Sequence, residues 1–279
     1  MSLPEIQLAT DGDLNYALFK HPDIVSNAVR SGGYEKELQD LSTRLLDGHH
    51  DGIVLDIGAN LGSYAVPLAK AHPHLQFEVF EPQRVIYYQL CANVFLNRLS
   101  NVHAHQFGLS NEQRVTSYVM PDYSAETNIG AFSIDFDTRA KDYEVKTQGY
   151  TERLRVIPLD LMQYEKVRLI KIDVEGYELQ VLEGASDTIE RNRPIVQIEC
   201  VETQPRAFGR TIQDLMDYFN TRNYVITTAD GVIRGPKWCY VKKMMDRFMI
   251  PAERTDLYDP SKVAEVDEST FNDLFEIEE

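Results

Sequence analysis

The fold of this chain is decided by residues 54–62, which read Val-Leu-Asp-Ile-Gly-Ala-Asn-Leu-Gly. The aliphatic residues of this segment form the apolar run that is typical of a buried parallel strand. Gly58 and Gly62 then allow the backbone to turn tightly and a ligand to approach without meeting a side chain. Apolar residues recur at helical spacing after the turn. The segment therefore predicts a strand, a glycine turn and a helix, an arrangement that places a nucleotide-like cofactor at a helix N-terminus.

Two acidic residues near the turn indicate which cofactor it binds. Asp56 interrupts the apolar strand just before the turn, and Glu81 follows the next predicted strand, residues 77–80. A carboxylate in the second position can accept hydrogen bonds from both hydroxyls of a ribose. The turn lacks the middle glycine of a nicotinamide-binding sequence, and Asp56 would be a poor neighbour for a pyrophosphate. The pattern favours S-adenosylmethionine, which carries a cationic amino group and a sulfonium, over NAD.

A third strand is predicted at residues 102–107, and the Gly-Leu-Ser sequence at 108–110 should lie under the adenine of the cofactor. Ligands of open α/β sheets bind beyond the carboxyl ends of the strands. We therefore expect the cofactor to be contacted by residues at three strand ends, namely Asp56, Gly58, Asn60, Gly62, Glu81, Gly108 and Leu109.

A second motif occupies residues 169–178, which read Leu-Ile-Lys-Ile-Asp-Val-Glu-Gly-Tyr-Glu. Strand alternation places Lys171 and Asp173 on one face. A central parallel strand is normally apolar on both faces, so buried charges there are costly unless they are paired or functional. The next strand, residues 194–200, places Gln197 and Glu199 on one face in the same way. Because ligands bind at the carboxyl ends of strands, Asp173 and Glu199 are expected beside the cofactor turn.

These acidic residues also have a purely structural interpretation. Lys171 could form an ion pair with Asp173 or with Glu199. Glu175 and Glu178 could instead stabilise the N-terminus of the following helix through its dipole. The sequence leaves both interpretations open.

Six segments of the chain resemble the FkbM family of class I methyltransferases: residues 33–35, 56–62, 80–82, 93–97, 170–178 and 193–199. The motif at 170–178 is the most specific of them, and the resemblance covers residues 33 to 200. It implies an S-adenosylmethionine-dependent O-methyltransferase that acts on a hydroxyl of a sugar, glycan or polyketide-like small molecule. It also implies the fold of that class, a Rossmann-like, seven-stranded, mostly parallel sheet with helices on both faces.

Methyl transfer to an aliphatic hydroxyl requires a base within hydrogen-bond reach of the hydroxyl proton. Asp173 is predicted to be this base, with Glu199 as the second candidate. Lys171 would orient the carboxylate and keep it ionised. Retention of both acids beside a complete cofactor turn argues against a non-catalytic binding module, while an N-methyltransferase or another small-molecule enzyme remains an alternative. We expect the acceptor to contact Glu35, Asn128 and Glu175.

A metal-dependent version of this reaction is a further alternative. Asp173, Glu175 and Glu199 could hold Mg²⁺ or Mn²⁺, which would lower the pKa of a coordinated hydroxyl. The sequence favours base catalysis without a metal, and no residue is assigned as a metal ligand.

Composition limits the remaining possibilities. The net charge of −16 makes nucleic acid an improbable partner, because binding its backbone requires clustered Lys and Arg. No apolar stretch approaches the length that crosses a bilayer, and the N-terminus lacks the features of a signal peptide. Three cysteines without metal-binding spacing indicate reduced core residues of a cytoplasmic protein. We expect a monomer or homodimer that takes a small-molecule or glycan acceptor.

The predicted organisation has three parts. Residues 1–50 form an N-terminal cap and helix, residues 51–245 form the methyltransferase-like domain, and residues 246–279 form an acidic tail. A β-hairpin-like insertion is predicted at 112–155, where the segment 128–133 could cover the cofactor or simply form a surface hairpin. Strands at 224–227 and 238–241 would complete the sheet, with the last strand antiparallel. The tail has ten acidic and two basic residues from Glu253 to Glu279, and an amphipathic segment at 271–275 could dock on the same chain or on a second subunit.

Overall fold

The computed structural model describes residues 3–20, 23–123, 147–200, 209–226 and 246–258. The strands within these ranges are β1 (Ile6–Asp11), β2 (Leu14–Phe19), β3 (Ile53–Ile57), β4 (Gln76–Phe80), β5 (Val102–His105), β6 (Gly108–Leu109), β7 (Arg114–Pro121), β8 (Thr147–Ile157), β9 (Val167–Ile172), β10 (Ile195–Glu199), β11 (Tyr224–Ile226) and β12 (Asp246–Pro251). The helices are α1 (Ile24–Arg30), α2 (Lys36–Leu46), α3 (Ala65–Ala71), α4 (Arg84–Leu96), α5 (Glu178–Glu183), α6 (Ser186–Asn192) and α7 (Ile212–Asn220), and a short 3-10 helix spans Leu159–Met162.

Among the described residues, seven strands form the central sheet in the order β11-β12-β10-β9-β3-β4-β5. β12 runs antiparallel to both of its neighbours, whereas the other neighbouring pairs are parallel. Parallel strands need crossover connections, and α3 and α4 supply those between β3 and β4 and between β4 and β5. The prediction of a Rossmann-like, mostly parallel, seven-stranded sheet is confirmed.

Alternate side chains of the central strands pack in two separate apolar clusters, one on each side of the sheet. One cluster joins Val54 of β3 to Leu41 of α2 and Leu68 of α3. The other joins Leu55 of β3 to Leu215 of α7. We name these sides the α3 face and the α7 face. Helices cover both faces, as predicted.

The N-terminal hairpin of β1 and β2 is attached to α4 by amide side chains. Asn93 Oδ1 accepts a hydrogen bond from the backbone N–H of Ala17 at 2.6 Å, and Gln89 Nε2 donates to the carbonyl of Ala17 at 2.8 Å. Asn97 pairs in the same way with both backbone groups of Asn15, at 2.8 and 2.7 Å. Backbone N–H and carbonyl groups of β2 that form no hydrogen bond with another strand are thereby paired with side chains of α4. These bonds attach the hairpin to the helix that follows β4.

The predicted insertion forms a small second sheet in the order β6-β8-β7. β7 and β8 are antiparallel, as expected for a hairpin, and β6 pairs with β8 in parallel. Arg84 at the start of α4 forms an ion pair with Glu152 of β8, and Tyr118 of β7 donates to the same carboxylate at 3.2 Å. The segment 128–133, including Asn128, lies outside the described residues.

Two predicted boundaries are wrong. β5 ends at His105, two residues before the predicted end, because Gly108–Leu109 leaves the central sheet and pairs with β8. The domain does not end at residue 245, because β12 lies inside the sheet between β10 and β11, and Leu257 packs in the core of the α3 face. The predicted strand at 238–241 and the predicted tail segment at 271–275 lie outside the described residues.

A polar cluster interrupts the α7 face at β4 and β5. Glu78 lies on this face because its neighbours Phe77 and Val79 point to the other. Its carboxylate accepts a hydrogen bond from Tyr164 at 2.8 Å, lies 2.9 Å from His103 Nδ1 and contacts the ring of His105.

Within the described ranges, no helix is long and apolar enough to cross a membrane.

Candidate functional site

A cavity of about 930 Å³, open solvent included, lies at the carboxyl ends of β3, β4 and β9. Most of the described residues that line it fall into two groups. We name the first the turn side, and it contains Gly58, Ala59, Asn60, Glu81, Gln83, Phe107, Gly108 and Leu109. We name the second the acid side, and it contains Tyr34, Glu35, Ser63, Tyr64, Lys171, Asp173 and Glu175.

The turn after β3 is held by backbone and carboxylate contacts. The N–H groups of Gly58 and Ala59 both donate to the carbonyl of Phe80 at 3.0 Å. Glu81 accepts hydrogen bonds from the backbone N–H of Asn60 at 3.0 Å and from that of Gln83 at 2.8 Å, one on each oxygen. Each of these oxygens keeps a further lone pair. Glu81 therefore closes the turn and can still accept hydrogen bonds from a ligand.

Glu81 is buried, and its burial raises the pKa of the carboxyl to about 7, against the two backbone hydrogen bonds that lower it. A carboxyl group with this pKa is close to the point of releasing its proton at neutral pH. Gly108 and Leu109 line the same side of the cavity, next to Phe107. Glu81, Gly108 and Leu109, which the sequence predicts as cofactor contacts, therefore line one side of the same cavity.

The two glycines of the turn make room for other parts of the protein. A Cβ on Gly58 would overlap the backbone carbonyl of Asp173, the carbonyl carbon being 2.9 Å away. A Cβ on Gly62 would lie 2.8 Å from Leu90 of α4 and 3.1 Å from Val66. Gly58 lines the cavity, and its missing Cβ also admits the β9 loop. The expectation is corrected for Gly62, which does not line the cavity and permits helix packing instead.

A row of polar side chains crosses the α3 face below the acid side. Asp56 of β3 is the register partner of Lys171 of β9, which is the partner of Gln197 of β10. We name these three residues the polar row. Tyr64 Oη lies 2.8 Å from Gln197 Oε1, and Gln197 Nε2 donates to Asp246 Oδ1 at 3.2 Å. Gln197 thus joins Tyr64 and Asp246 in a buried hydrogen-bonded network, and Lys171 and Asp56 lie beside it on the neighbouring strands.

Lys171 and Asp173 form an ion pair at the edge of the cavity. Lys171 Nζ lies 2.9 Å from Asp173 Oδ2, with side-chain exposures of 4% and 25%. Burial alone would lower the pKa of Lys171, but the charges of Asp173, Glu35 and further acids raise it well above its ordinary value. Lys171 therefore remains an ammonium. The backbone N–H of Asp173 donates to the carbonyl of Ile57 at 3.0 Å, which fixes its position beside the turn. The predicted pairing of these two side chains is confirmed.

Asp56 lies beneath the cavity and does not line it. It is 1% exposed, and neither carboxylate oxygen has a hydrogen-bond partner among the described residues. Burial raises the pKa of Asp56 to about 6, although the charge of Lys171 lowers it. The expectation that Asp56 contacts the cofactor directly is corrected, because its strand position buries it under the turn. Its charge nevertheless acts on Glu35 and Glu81, which line the cavity.

The predicted acidic residues of the β9 and β10 ends do come together. Asp173, Glu175 and Glu199 each offer an oxygen within 4.8 Å of the others. Burial, with the charges of Asp173 and Glu175, raises the pKa of Glu199 to about 10, so this group holds a proton at neutral pH. Glu199 lines a smaller cavity beside Thr211 rather than the main one. Of the two candidate bases, the geometry therefore favours Asp173.

The structural interpretation is correct for Glu178. Its Oε1 accepts hydrogen bonds from the backbone N–H of Gly176 at 2.9 Å and from that of Val174 at 3.3 Å. The side chain is buried and holds the loop between β9 and α5. This loop carries Glu175, whose φ of 58° lies in the left-handed region. Glu178 thus shapes the acid side without lining it.

Glu35 covers the acid side from the start of α2. Its backbone φ is 54°, and burial raises the pKa of its carboxyl to about 8 although the charge of Lys171 lowers it. Gln39 Nε2 donates to the carbonyls of Tyr34 at 2.6 Å and Ser63 at 3.1 Å. These bonds tie the start of α2 to the turn and keep Glu35 at the cavity. The predicted acceptor residues Glu35 and Glu175 therefore both lie on the acid side.

Sequence reasoning missed several lining residues. Tyr64 is one of the residues at helical spacing after the turn, a pattern that predicts only helix packing, yet it lines the cavity and contacts Gln197, 133 residues away. Ile24 and Val25 of α1 also line the cavity, although the N-terminal region carries no motif. The signal for Tyr64 was its hydroxyl, since a buried tyrosine normally finds a hydrogen-bond partner. Nothing in the sequence pointed to α1.

Residues 56–226 match the family model of the methyltransferase FkbM domain. Methyltransferase 1 of Beauveria bassiana is 28% identical over 148 residues, which cover 49% of this chain and 59% of that protein. Methyltransferase sdnD of Sordaria araneosa is 28% identical over 194 residues, which cover 59% of this chain and 71% of that protein. The match to Methyltransferase 1 thus spans less than two thirds of that protein.

A solved structure, the methyltransferase FkbM from Methylobacillus flagellatus KT, is also similar to this chain. The two superpose with a TM-score of 0.46 and 19% sequence identity, over 72% of this chain and 44% of the other.

Proposed function

This chain belongs to the FkbM-domain methyltransferase family, and from that premise we propose that its cavity joins the methyl group of S-adenosylmethionine to a hydroxyl oxygen of a sugar, glycan or polyketide-like small molecule. The enzyme is an S-adenosylmethionine-dependent methyltransferase; the acceptor and the atom methylated are our proposal. We place the cofactor on the turn side and the acceptor on the acid side. The reaction would occur in the cytoplasm, because Cys91 and Cys200 are free thiols.

The turn side has the groups that the cofactor requires. Glu81 can accept hydrogen bonds from ribose hydroxyls through the lone pairs that Asn60 and Gln83 leave free. Phe107 and Leu109 supply apolar contacts for the adenine. The buried charge of Asp56 favours a cation above it, which suits the amino group and the sulfonium. When bound, S-adenosylmethionine supplies an electrophilic methyl group.

On the acid side, Asp173 is the proposed base. The acceptor oxygen forms its bond to the methyl carbon as the carbon–sulfur bond breaks, and the hydroxyl proton passes to Asp173. Lys171 holds that carboxylate at 2.9 Å and limits its rotation. Such a base contributes roughly 10²–10⁴-fold to a rate, and fixed positioning of the acceptor contributes further.

A metal-assisted version is the second candidate, favoured by the three oxygens of Asp173, Glu175 and Glu199 within 4.8 Å. An all-oxygen donor set is the one that Mg²⁺ and Mn²⁺ prefer. These three residues would hold the ion, which would supply Lewis-acid activation of a coordinated hydroxyl. Activity that disappears with a chelator and returns with added Mg²⁺ would favour this version over base catalysis alone.

The observation that carries the proposal is the Lys171–Asp173 ion pair at the cavity edge, beside the turn that Glu81 closes. The test is a panel of glycans, glycosides and polyketide alcohols incubated with methyl-labelled S-adenosylmethionine. We expect label in a methyl ether, which survives alkali, whereas a methyl ester would be hydrolysed. Label in an amine product, or binding of the cofactor without transfer to any panel member, would contradict the proposed acceptor class.

A further inference from the structure

The ammonium group of Lys171 lies among several acidic side chains. It donates a hydrogen bond to Asp173 Oδ2 at 2.9 Å, and the charges of Asp56 and Asp246 also act on it. Asp56 is the register partner of Lys171 on β3, and its carboxylate has no hydrogen-bond partner among the described residues. A lysine side chain is long and flexible. A further contact is therefore needed to keep Lys171 on Asp173 rather than on Asp56.

The ring of Tyr64 supplies such a contact. Lys171 Nζ lies over this ring, 5.5 Å from its centroid. This distance is within the range at which the negative face of an aromatic ring attracts a cation. Both side chains are buried, and a cation–π contact is strongest where water is excluded. The ring of Tyr64 thus stabilises the ammonium in the position from which it reaches Asp173.

The hydroxyl of Tyr64 fixes the position of the ring. Tyr64 Oη lies 2.6 Å from Ser42 Oγ of α2 and 2.8 Å from Gln197 Oε1 of β10. Ser42 and Gln197 are fully buried, so these contacts are shielded from water. A continuous set of contacts therefore runs from α2 and β10 through Tyr64 to the ion pair at the cavity.

From these contacts we infer that Tyr64 is a positioning residue for methyl transfer. Its ring holds Lys171 on Asp173 and so fixes the carboxylate that takes the acceptor proton. The inference rests on the role proposed above for Asp173 and adds a residue that acts through Lys171. Rates of such reactions respond to a misplacement of about 1 Å, so a looser ion pair lowers kcat.

Two substitutions of Tyr64 separate the ring from the hydroxyl, with the fastest acceptor of the panel as substrate. Tyr64→Leu removes the ring and should lower kcat by roughly five- to thirtyfold, as expected for a buried cation–π contact. KM and the affinity for S-adenosylhomocysteine should change far less. Tyr64→Phe keeps the ring, so kcat should stay near that of the wild type although the lost hydrogen bonds lower the melting temperature. Equal losses of kcat in the two variants would overturn the inference.

Tyr224→Leu is the matched control. Tyr224 is also a buried tyrosine with a cation over its ring, since Arg193 lies 4.4 Å from the ring centroid. It belongs to β11 and does not line the cavity. Its loss should lower the melting temperature and leave kcat of the folded fraction unchanged. A fall in kcat as large as that of Tyr64→Leu would contradict a specific role for Tyr64.

A double-mutant cycle tests whether Tyr64 acts through Lys171. Lys171→Met removes the ammonium but keeps a long side chain, so the ring has no cation left to hold. Adding Tyr64→Leu to Lys171→Met should then lower kcat little further. Fully multiplicative losses of kcat would show that Tyr64 acts by another route and would overturn the inference.

An NMR measurement needs neither an acceptor nor the Lys171→Met variant. In isotope-labelled protein with bound S-adenosylhomocysteine, the ring current of Tyr64 should shift the ammonium protons of Lys171 upfield; their signal is assigned from its loss in Lys171→Arg. The shift should persist in Tyr64→Phe and disappear in Tyr64→Leu, and an identical signal in all three proteins would overturn the inference. If the signal behaves as expected but no panel member is methylated, the acceptor class proposed above is wrong and the contact of Tyr64 with Lys171 stands.

Discussion

The two faces of β3, β9 and β10 are made of alternate residues of the same strands, and they differ in polarity near the middle of those strands. On the α7 face, Leu55, Ile170 and Val196 are fully buried in an apolar cluster. On the α3 face, the residues one position along each strand are Asp56, Lys171 and Gln197. Buried polar groups of this kind cost free energy unless they are paired, and Asp56 has no hydrogen-bond partner among the described residues. At these positions the α7 face contributes apolar burial alone, whereas the α3 face, which has its own apolar cluster, also supports the acid side of the cavity.

Among the variants that test this difference between the faces, Asp173→Asn should have the largest effect, and that effect is on the turnover rate. Asparagine keeps the shape of the side chain but cannot take a proton, so turnover should fall by about two to four orders of magnitude. The affinity for S-adenosylhomocysteine, measured by calorimetry, should change far less because Asp173 lies on the acid side. Glu199→Gln is the matched control, and it should retain activity because Glu199 already holds a proton. A collapse of turnover in the control alone would reverse the two roles.

A substitution on the α7 face should lower the stability of the protein rather than its activity. Ile170→Ala removes a fully buried side chain of the α7 face and should lower the free energy of unfolding by about 2–5 kcal/mol. Because Ile170 does not line the cavity, kcat of the folded fraction should stay near that of the wild type. Chemical denaturation and initial rates measure the two quantities. A large fall in kcat at unchanged stability would mean that the faces are not functionally separate.

The strands and helices that follow from the local spacing of apolar residues could be predicted from the sequence. The strand at 54–57, the glycine turn at 58–62 and the following helix were predicted correctly from the sequence. Contacts between distant segments were not predictable in this way. Gly58 meets the backbone of Asp173, and Gly62 meets Leu90, only after the strands and helices have packed. The placement of β12 between β10 and β11 likewise depends on spatial order, which alternation along the chain does not encode.

The site was predicted unevenly for the same reason. Asp173, Glu175 and Glu199 were placed together correctly, because parallel strands end at one edge of the sheet. Asp56 was placed too close to the ligand, since one residue of difference along a strand decides whether a side chain lines a cavity or lies under it. The spacing of a motif thus predicts which end of the sheet a residue occupies, whereas only the packed structure shows how deeply its side chain is buried.

A smaller effect is expected on the turn side of the cavity. Glu81→Ala should weaken the binding of S-adenosylhomocysteine by about 1.5–3 kcal/mol, the range for hydrogen bonds to a charged group. Because Glu81 also closes the turn, the melting temperature without ligand must be measured alongside. A 2′-deoxyribose analogue of the ligand tests the assignment. The wild-type protein should bind the analogue more weakly than S-adenosylhomocysteine, and Glu81→Ala should weaken the binding of the analogue little further. If the substitution weakens the binding of both ligands by the same factor, Glu81 does not contact the ribose.

A further expected effect is a dependence of stability on pH that differs between the two faces. Around the α3 face, burial raises the pKa of Asp56 to about 6, of Glu35 to about 8 and of Glu199 to about 10. On the α7 face, the hydrogen bonds from His105 and its neighbours outweigh burial and lower the pKa of Glu78 to about 2. The ordinary value for a glutamate here is 4.5.

The signs follow from proton counts. As the pH rises from 4.5 to 8, the unfolded chain has released the proton of Glu35 while the folded chain keeps it, so stability falls. Glu78 contributes stability above pH 4.5, and that contribution is lost as the pH falls towards 2. The protein without ligand should therefore be most stable in mild acid. Glu35→Gln should make the decline between pH 4.5 and 8 shallower without abolishing it, because Asp56 and Glu81 also keep their protons in part of this range. Glu78→Gln should change only the acid limb. Melting temperatures that rise steadily from pH 5 to 8 in the unliganded wild type would show that the α3 face does not hold these protons.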